Sequence, residues 1–231
     1  MIHFIFMLTH DDATVPDALD VLEELRGSGL RYVGFKDVGA TPERLREVCE
    51  AAHEQGFEVM LEVVSTSFEE ERRSLEAAGE IGVDWVLGGN HPEAGTEILG
   101  AKDVRYCPFP GTVVGHPSVL EGSVEEIAAD ARRLTSIDGV DGVDLLAYRH
   151  ASADIEALVG AVVRESEGPV IAAGSVVDFE QIELLAGAGA WGFTIGSAIF
   201  EGKLPGGPDV APQVEAVLEA AASAGSGKVA G

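Results

Sequence analysis

One alternation runs through the whole sequence: a short apolar run, then a stretch with helical spacing, then another apolar run. The apolar runs cover residues 2–8, 32–36, 58–63, 85–88, 104–107, 143–147, 169–173 and 191–195. Helical patterns occupy 15–26, 68–78, 92–99, 124–134, 153–163 and 210–222, with further ones after Thr41-Pro42-Glu43 and around Ile182, Leu184 and Leu185. Strands that are apolar throughout are buried on both faces, and parallel neighbours need a crossover, usually a helix. The pattern therefore predicts an α/β chain, a (β/α)8 TIM barrel in a single domain over 1–222, with 223–231 a small polar flexible tail. A doubly wound open sheet is the competing arrangement. That fold places its glycine-rich phosphate turn after the first strand. Here Thr9-His10-Asp11-Asp12 stands at that place, without glycine. Pro16 is read at the first turn of the first helix, and Thr41 as the cap of the second with Pro42 at its first position.

The most informative stretch is the last pair of strands. The run at 169–173 ends in Gly174-Ser175, and the run at 191–195 ends in Gly196-Ser197, which opens another helix. Glycine lets backbone N–H groups approach a ligand closely, and a helix start offers unpaired N–H groups. In (β/α)8 barrels the loops after strands seven and eight, with a short extra helix, frequently bind phosphate. Gly174, Ser175, Gly196 and Ser197 are thus the candidate phosphate-binding residues.

This stretch, with "GA" closing the helix before the last strand and "GSA" closing the strand itself, resembles the ribulose-phosphate-binding barrels. Among these are the phosphoribosyl isomerases of histidine and tryptophan biosynthesis and N-acylmannosamine-6-phosphate epimerase. The resemblance implies a small phosphorylated metabolite as ligand. It covers about the last fifth of the chain.

Composition narrows the rest. Net charge is −25, with 40 acidic residues against 15 basic. Repulsion of that size disfavours nucleic acid and anionic membranes as partners. The four lysines are Lys36, Lys102, Lys203 and Lys228. An acidic, lysine-poor surface is a halophilic pattern, tolerable where salt screens it. Cys49 and Cys107 lack metal-type spacing, and Cys49 reads as a core residue. The run at 2–8 lacks a basic leader and is too short to span a bilayer, so a cytoplasmic location is expected.

Candidate catalytic groups are those that end the strands. In Tyr32-Val33-Gly34-Phe35-Lys36 the apolar Val33 and Phe35 must face the helices, which turns Lys36 into the barrel mouth. Burial there would lower its pKa and make it a base or an imine-forming nucleophile. A structural ion pair is the plain alternative. Glu62 ends the next strand on the same inward side, within reach of Lys36. Asp37 is a second acidic neighbour leaning toward the rim. The segment VGFKDVGAT is also similar to the Schiff-base strand of lysine-dependent aldolases of the dihydrodipicolinate synthase group, which carry that lysine on a later strand. N-acylmannosamine-6-phosphate epimerase uses a lysine and a glutamate.

His10, Asn90, His91 and His150 follow strands one, four and six. His10 or Asn90 is read as orienting a carbonyl, and Asn90, His91 and His150 as substrate-binding. The histidines lack the His and Asp pattern of epimerase-type metal sites, so no metal and no cofactor is expected. Arg149 is placed to hold a carboxylate or second phosphate. The longest loop, 109–123, suits either a lid or a subunit contact, the latter leaving room for a homo-oligomer. Together these features predict an isomerase or epimerase acting on a small phosphorylated carbonyl compound. A lysine Schiff-base aldolase or lyase and a non-catalytic phosphometabolite-binding barrel are the rival readings.

Overall fold

The computed structural model describes residues 1–225 apart from Thr66, Ala101 and His116. Eight parallel strands form its sheet: β1 (His3–Met7), β2 (Tyr32–Lys36), β3 (Glu58–Val63), β4 (Trp85–Gly88), β5 (Arg105–Cys107), β6 (Val143–Leu145), β7 (Val170–Ala172) and β8 (Gly192–Ile195). β1 pairs with β8, with Ile5 opposite Thr194, so the first and last strands meet. The remaining seam lies between β5 and β6. Two backbone bonds join it, Asp141 N to Tyr106 O at 2.8 Å and Asp144 N to Pro108 O at 3.0 Å. The result is a (β/α)8 barrel, nearly closed.

Helices α1 (Ala18–Glu24), α2 (Pro42–Glu54), α3 (Phe68–Ile81), α4 (Pro92–Leu99), α5 (Val124–Thr135), α6 (Ile155–Glu165) and α7 (Phe179–Ala188) follow strands one to seven. A one-turn helix, α8 (Ser197–Phe200), and the long α9 (Val210–Ala224) follow β8. Side-chain caps start several of them. Thr41 Oγ1 accepts from Arg44 N at α2, and Ser123 and Glu126 form a reciprocal capping box at α5. Pro16 is a correction: α1 begins two residues later, so Pro16 precedes the helix rather than occupying its first turn. The last helix runs on through Ala224, so the expected tail starts inside it; residues 226–231 lie outside the described residues. Among the described residues, no helix is long and apolar enough to cross a membrane.

Strand alternation divides the apolar core in two. Val33, Phe35, Val59, Leu61, Phe4, Phe6 and Phe193 face the helices and join one continuous layer. Ile5, Met7, Tyr32, Met60, Trp85, Leu87, Cys107 and Ile171 fill the barrel interior. Its lower end is closed by aromatic rings, with Trp191 5.2 Å from Trp85 and 5.4 Å from Tyr32 between centroids. An interior plugged this way leaves side chains at the upper, C-terminal ends of the strands as the lining of any site. Two hairpins cover that end: Thr9–His10 with Ala13–Thr14, and Thr112–Val114 with Val119–Glu121. The second is the long loop of the sequence folded on itself.

Candidate active site

A cavity of about 210 Å³ opens at the C-terminal end of the barrel. Lys36 and Glu62 line it from β2 and β3, Thr194 from β8, and Arg149 from the turn after β6. The loops Gly174-Ser175 and Gly196-Ser197 form its other wall, with Lys203 beyond them. All four expected phosphate-binding residues thus share one cavity with three of the other candidates, Lys36, Glu62 and Arg149.

The phosphate-type wall is built from local rules. Gly174 and Ser175 both have positive φ, 80° and 62°, which brings the loop back over the barrel. Asp178 caps α7 and Gln181 Oε1 accepts from Val177 N at 2.6 Å, which fixes the far side of that loop. The α8 turn is anchored from below by Gln213, a fully buried residue of α9. Its Nε2 donates to Ile199 O at 2.9 Å and its Oε1 accepts from Leu204 N at 3.1 Å. Ser197 Oγ accepts from Asp11 N at 3.2 Å, joining the loop to the first hairpin. Among the described residues, the N–H groups of Gly174, Ser175, Gly196 and Ser197 have no protein acceptor.

Opposite lies a cluster of charge. Lys36 is 8% exposed and Glu62 4%, with Nζ 3.7 Å from Glu62 Oε2. The shorter contact of Lys36 is with Asp12 Oδ1, at 2.6 Å. Arg149 Nη2 reaches the same carboxylate at 3.2 and 3.4 Å. Behind them, Asp144 of β6 is fully buried, and neither of its carboxyl oxygens has a hydrogen-bond partner.

These neighbours set the protonation states. Burial pulls the Lys36 pKa down, but Glu62 and Asp12 outweigh it and hold it above the ordinary lysine value. The expectation of a lowered lysine pKa is therefore corrected, because burial brought two carboxylates with it. Burial pushes the Asp12 carboxyl up, yet bonds to Lys36 and the charge of Arg149 bring it below its usual value. Burial and then Glu62 push the Asp144 carboxyl well above its ordinary value, which favours its protonated form. The Cys107 thiol, also inside the barrel, is pushed well up by burial, and Cys49 to about 12, so neither is a thiolate nucleophile.

The other sequence candidates lie elsewhere. His10 stands at the rim, with Nδ1 3.8 Å from Asp11 and Nε2 3.7 Å from Glu201. Those three residues form the one group of potential metal ligands found among the described residues, and the set is exposed or half-buried. His91 Nδ1 bonds Glu71 at 2.8 Å, and Glu71 also accepts the N–H of Asn90 and of His91. Asn90 faces a neighbouring pocket beneath the second hairpin. His150 pins a loop: Nε2 contacts Gly122 O at 2.8 Å and Nδ1 accepts from Ala153 N. Asp37 turns outward to Val64 N, Ser65 and Ser74, so it is no partner of Lys36.

Three site residues escaped the sequence reading. Asp12 comes from a hairpin tip, which strand-end logic does not reach. Asp144 is inward by alternation, and a lone acid inside an apolar run was its visible signal. Lys203 was visible too, since two of only four lysines line this one cavity.

Comparison with solved structures gives the fold independently. The solved structure of native KDPGal superposes with TM-score 0.68 at 17% identity, covering 96% of this chain and 95% of the other. (S)-3-O-geranylgeranylglyceryl phosphate synthase from Thermoplasma acidophilum, in complex with sn-glycerol-1-phosphate, gives 0.62 at 16% identity over 95% and 92%. A mandelate oxidase variant carrying an FMN adduct gives 0.64 at 13% identity over 96% and 74%. At such identities the likeness is one of fold: the chain is similar to (β/α)8 barrels. No family model matches the sequence, and no curated protein is significantly similar to it.

Proposed function

We propose that the protein is an enzyme of small phosphorylated carbonyl compounds, and that it moves a proton beside the carbonyl, as an isomerase or epimerase does. The observation that carries this reading is the shared cavity. The free N–H groups of the Gly174-Ser175 and Gly196-Ser197 loops sit on one side, and Lys36 with Glu62 on the other. A phosphate held by those N–H groups and by Lys203 directs the rest of a short ligand at the charged cluster. Glu62 takes a proton from the carbon next to the carbonyl. The Lys36 ammonium stabilises the enolate oxygen that results. In an epimerase the proton returns to the same carbon from its other face; in an isomerase it returns to the former carbonyl carbon while the adjacent hydroxyl passes its proton to the enolate oxygen. The phosphate ligand of the similar synthase from Thermoplasma acidophilum supports the cradle by analogy of fold.

The test combines binding with exchange. Calorimetry with sn-glycerol-1-phosphate measures the cradle. Incubation with phosphorylated aldoses and ketoses in deuterated water, followed by NMR, measures loss of the C–H signal beside the carbonyl. Exchange that vanishes in Glu62→Gln is the expected result. Phosphate binding without any exchange identifies the non-catalytic binding barrel instead.

One observation keeps the aldolase reading as second: the only buried lysine among the described residues lies at the mouth. Its raised pKa works against it, since an imine forms from the free amine. Borohydride with pyruvate, followed by peptide mapping, separates the two. Reduction product on Lys36 establishes the imine route, and an unmodified Lys36 excludes it for that carbonyl.

A further inference from the structure

One carboxylate in the mouth lies between two cations. Asp12 Oδ1 accepts from Lys36 Nζ at 2.6 Å and from Arg149 Nη2 at 3.2 Å. Asp12 does not belong to a barrel strand. It stands at the tip of the hairpin formed by Thr9–His10 and Ala13–Thr14, where Asp11 and Asp12 have φ of 50° and 60°. Side chains other than glycine disfavour that conformation, and two successive residues adopt it here. The turn aims one of them inward, while the Asp11 side chain remains 85% exposed. The guanidinium is only half used. Arg149 Nε is buried without a partner, although its Nη2 is engaged. A planar oxyanion that met both nitrogens would make the two parallel bonds for which this edge is shaped.

The geometry points to Lys36 and Arg149 as a second anion subsite, which Asp12 fills until a ligand carboxylate displaces it. The ligand is then a short phosphorylated carboxylate, with phosphate at the Gly174 and Gly196 loops and carboxylate at the cation pair. The inference rests on the phosphate reading of those loops and names the substrate class for it.

Charge balance favours a carboxylate over a second phosphate. Two cations, Lys36 and Arg149, face two carboxylates, Asp12 and Glu62, while burial favours the protonated form of Asp144 behind them. A ligand carboxylate replaces Asp12 charge for charge. A phosphate dianion would leave surplus negative charge beside Glu62, where burial makes it costly. Asp12 itself regains water on leaving, because its hairpin lies at the open rim. The cavity of about 210 Å³ admits only a small molecule, so the two anionic groups of the ligand are a few bonds apart.

Calorimetry on the full chain tests this with three probes: glycerol phosphate, glycerate and 3-phosphoglycerate. Asp12→Asn should bind glycerate and 3-phosphoglycerate about ten- to hundredfold tighter than the parent, the span of one charge-assisted contact. Its affinity for glycerol phosphate should stay as in the parent. Asp11→Asn removes the same charge one residue away, outside the cavity, and should alter none of the three. Carboxylate probes that bind Asp12→Asn no tighter than Asp11→Asn overturn the inference. So does an equal gain for glycerol phosphate, which would show general repulsion only. If Asp12→Asn does not fold, hydrogen exchange of residues 10–13 in the parent decides. Exchange there rises on saturation with glycerate if Asp12 is displaced, and an unchanged or lower rate rejects displacement. Failure of glycerol phosphate to bind any of the proteins, with the glycerate contrast intact, refutes the phosphate reading and leaves the subsite standing.

Discussion

Lys36 and Glu62 are register partners on neighbouring strands, with Nζ 3.7 Å from Oε2, yet the ammonium makes its short bond to Asp12, which no strand of the barrel carries. The barrel sets which way the lysine points. A surface hairpin then supplies its short bond, and Glu62 together with Asp12 sets how strongly it holds its proton.

Replacing Lys36 by Met removes the cation from between Asp12 and Glu62. Breaking a buried pair costs up to about 3–5 kcal/mol, and loss of a general acid–base group lowers turnover about 10²–10⁴-fold. The stability penalty depends on pH. Asp12 has a lowered folded pKa, so its stabilisation is present above the usual carboxylate value and is lost as pH falls through the folded value. The gap in melting temperature between parent and Lys36→Met should therefore be widest near neutrality and narrow in acid. A gap that does not change with pH refutes the ion-pair account. Lys36→Arg keeps the charge, and near-parental turnover in that variant would assign the lysine an electrostatic role only.

Asp144 gives the opposite slope. Its folded pKa is raised, so its contribution is full below the ordinary carboxylate value and declines as pH rises through the folded value. Asp144→Asn cannot ionise and removes that decline. The melting temperature of the variant minus that of the parent should grow as pH rises from about 4 to 8. A difference that stays flat over this range would mean that Asp144 is not held neutral by its burial.

Lys203→Gln tests the phosphate wall without touching the barrel interior. Its ammonium lines the cavity and pairs with Glu201 at the rim. Loss of one charge-assisted contact should weaken glycerol phosphate binding about ten- to hundredfold by calorimetry. Gly196→Val, the obvious loop variant, answers a different question. A Cβ there meets Thr9 Oγ1 at 2.6 Å and Thr9 O at 2.8 Å rather than the cavity. It should cost about 1–3 kcal/mol of stability by overpacking against the segment after β1. An unchanged melting temperature would show that this segment yields freely.

The net charge of −25 predicts a salt response. Screening weakens repulsion among exposed carboxylates, so melting should move upward between dilute and molar KCl. A midpoint unchanged or lowered by salt rules out the halophilic reading.

The sequence alone determined the architecture and the direction of the key side chains. Both follow from local periodicity: a strand with helices outside and a packed interior must alternate, so Val33 and Phe35 fixed where Lys36 points. Strand order in a right-handed barrel then made β2 and β3 neighbours and put both Gly-Ser loops at one rim. Tertiary structure decided what periodicity cannot carry. Asp12 arrives at Lys36 from 24 residues away through a hairpin turn. Arg149 comes to the same carboxylate from 137 residues away. His10, Asn90, His91 and His150 end or follow strands as expected, but His10 turns to the rim, His91 to Glu71 of α3, His150 to a loop, and Asn90 to a neighbouring pocket. Position at a strand end places a residue at the mouth. The direction its loop takes afterwards depends on packing against distant segments, and so does the protonation state of every charged group it meets.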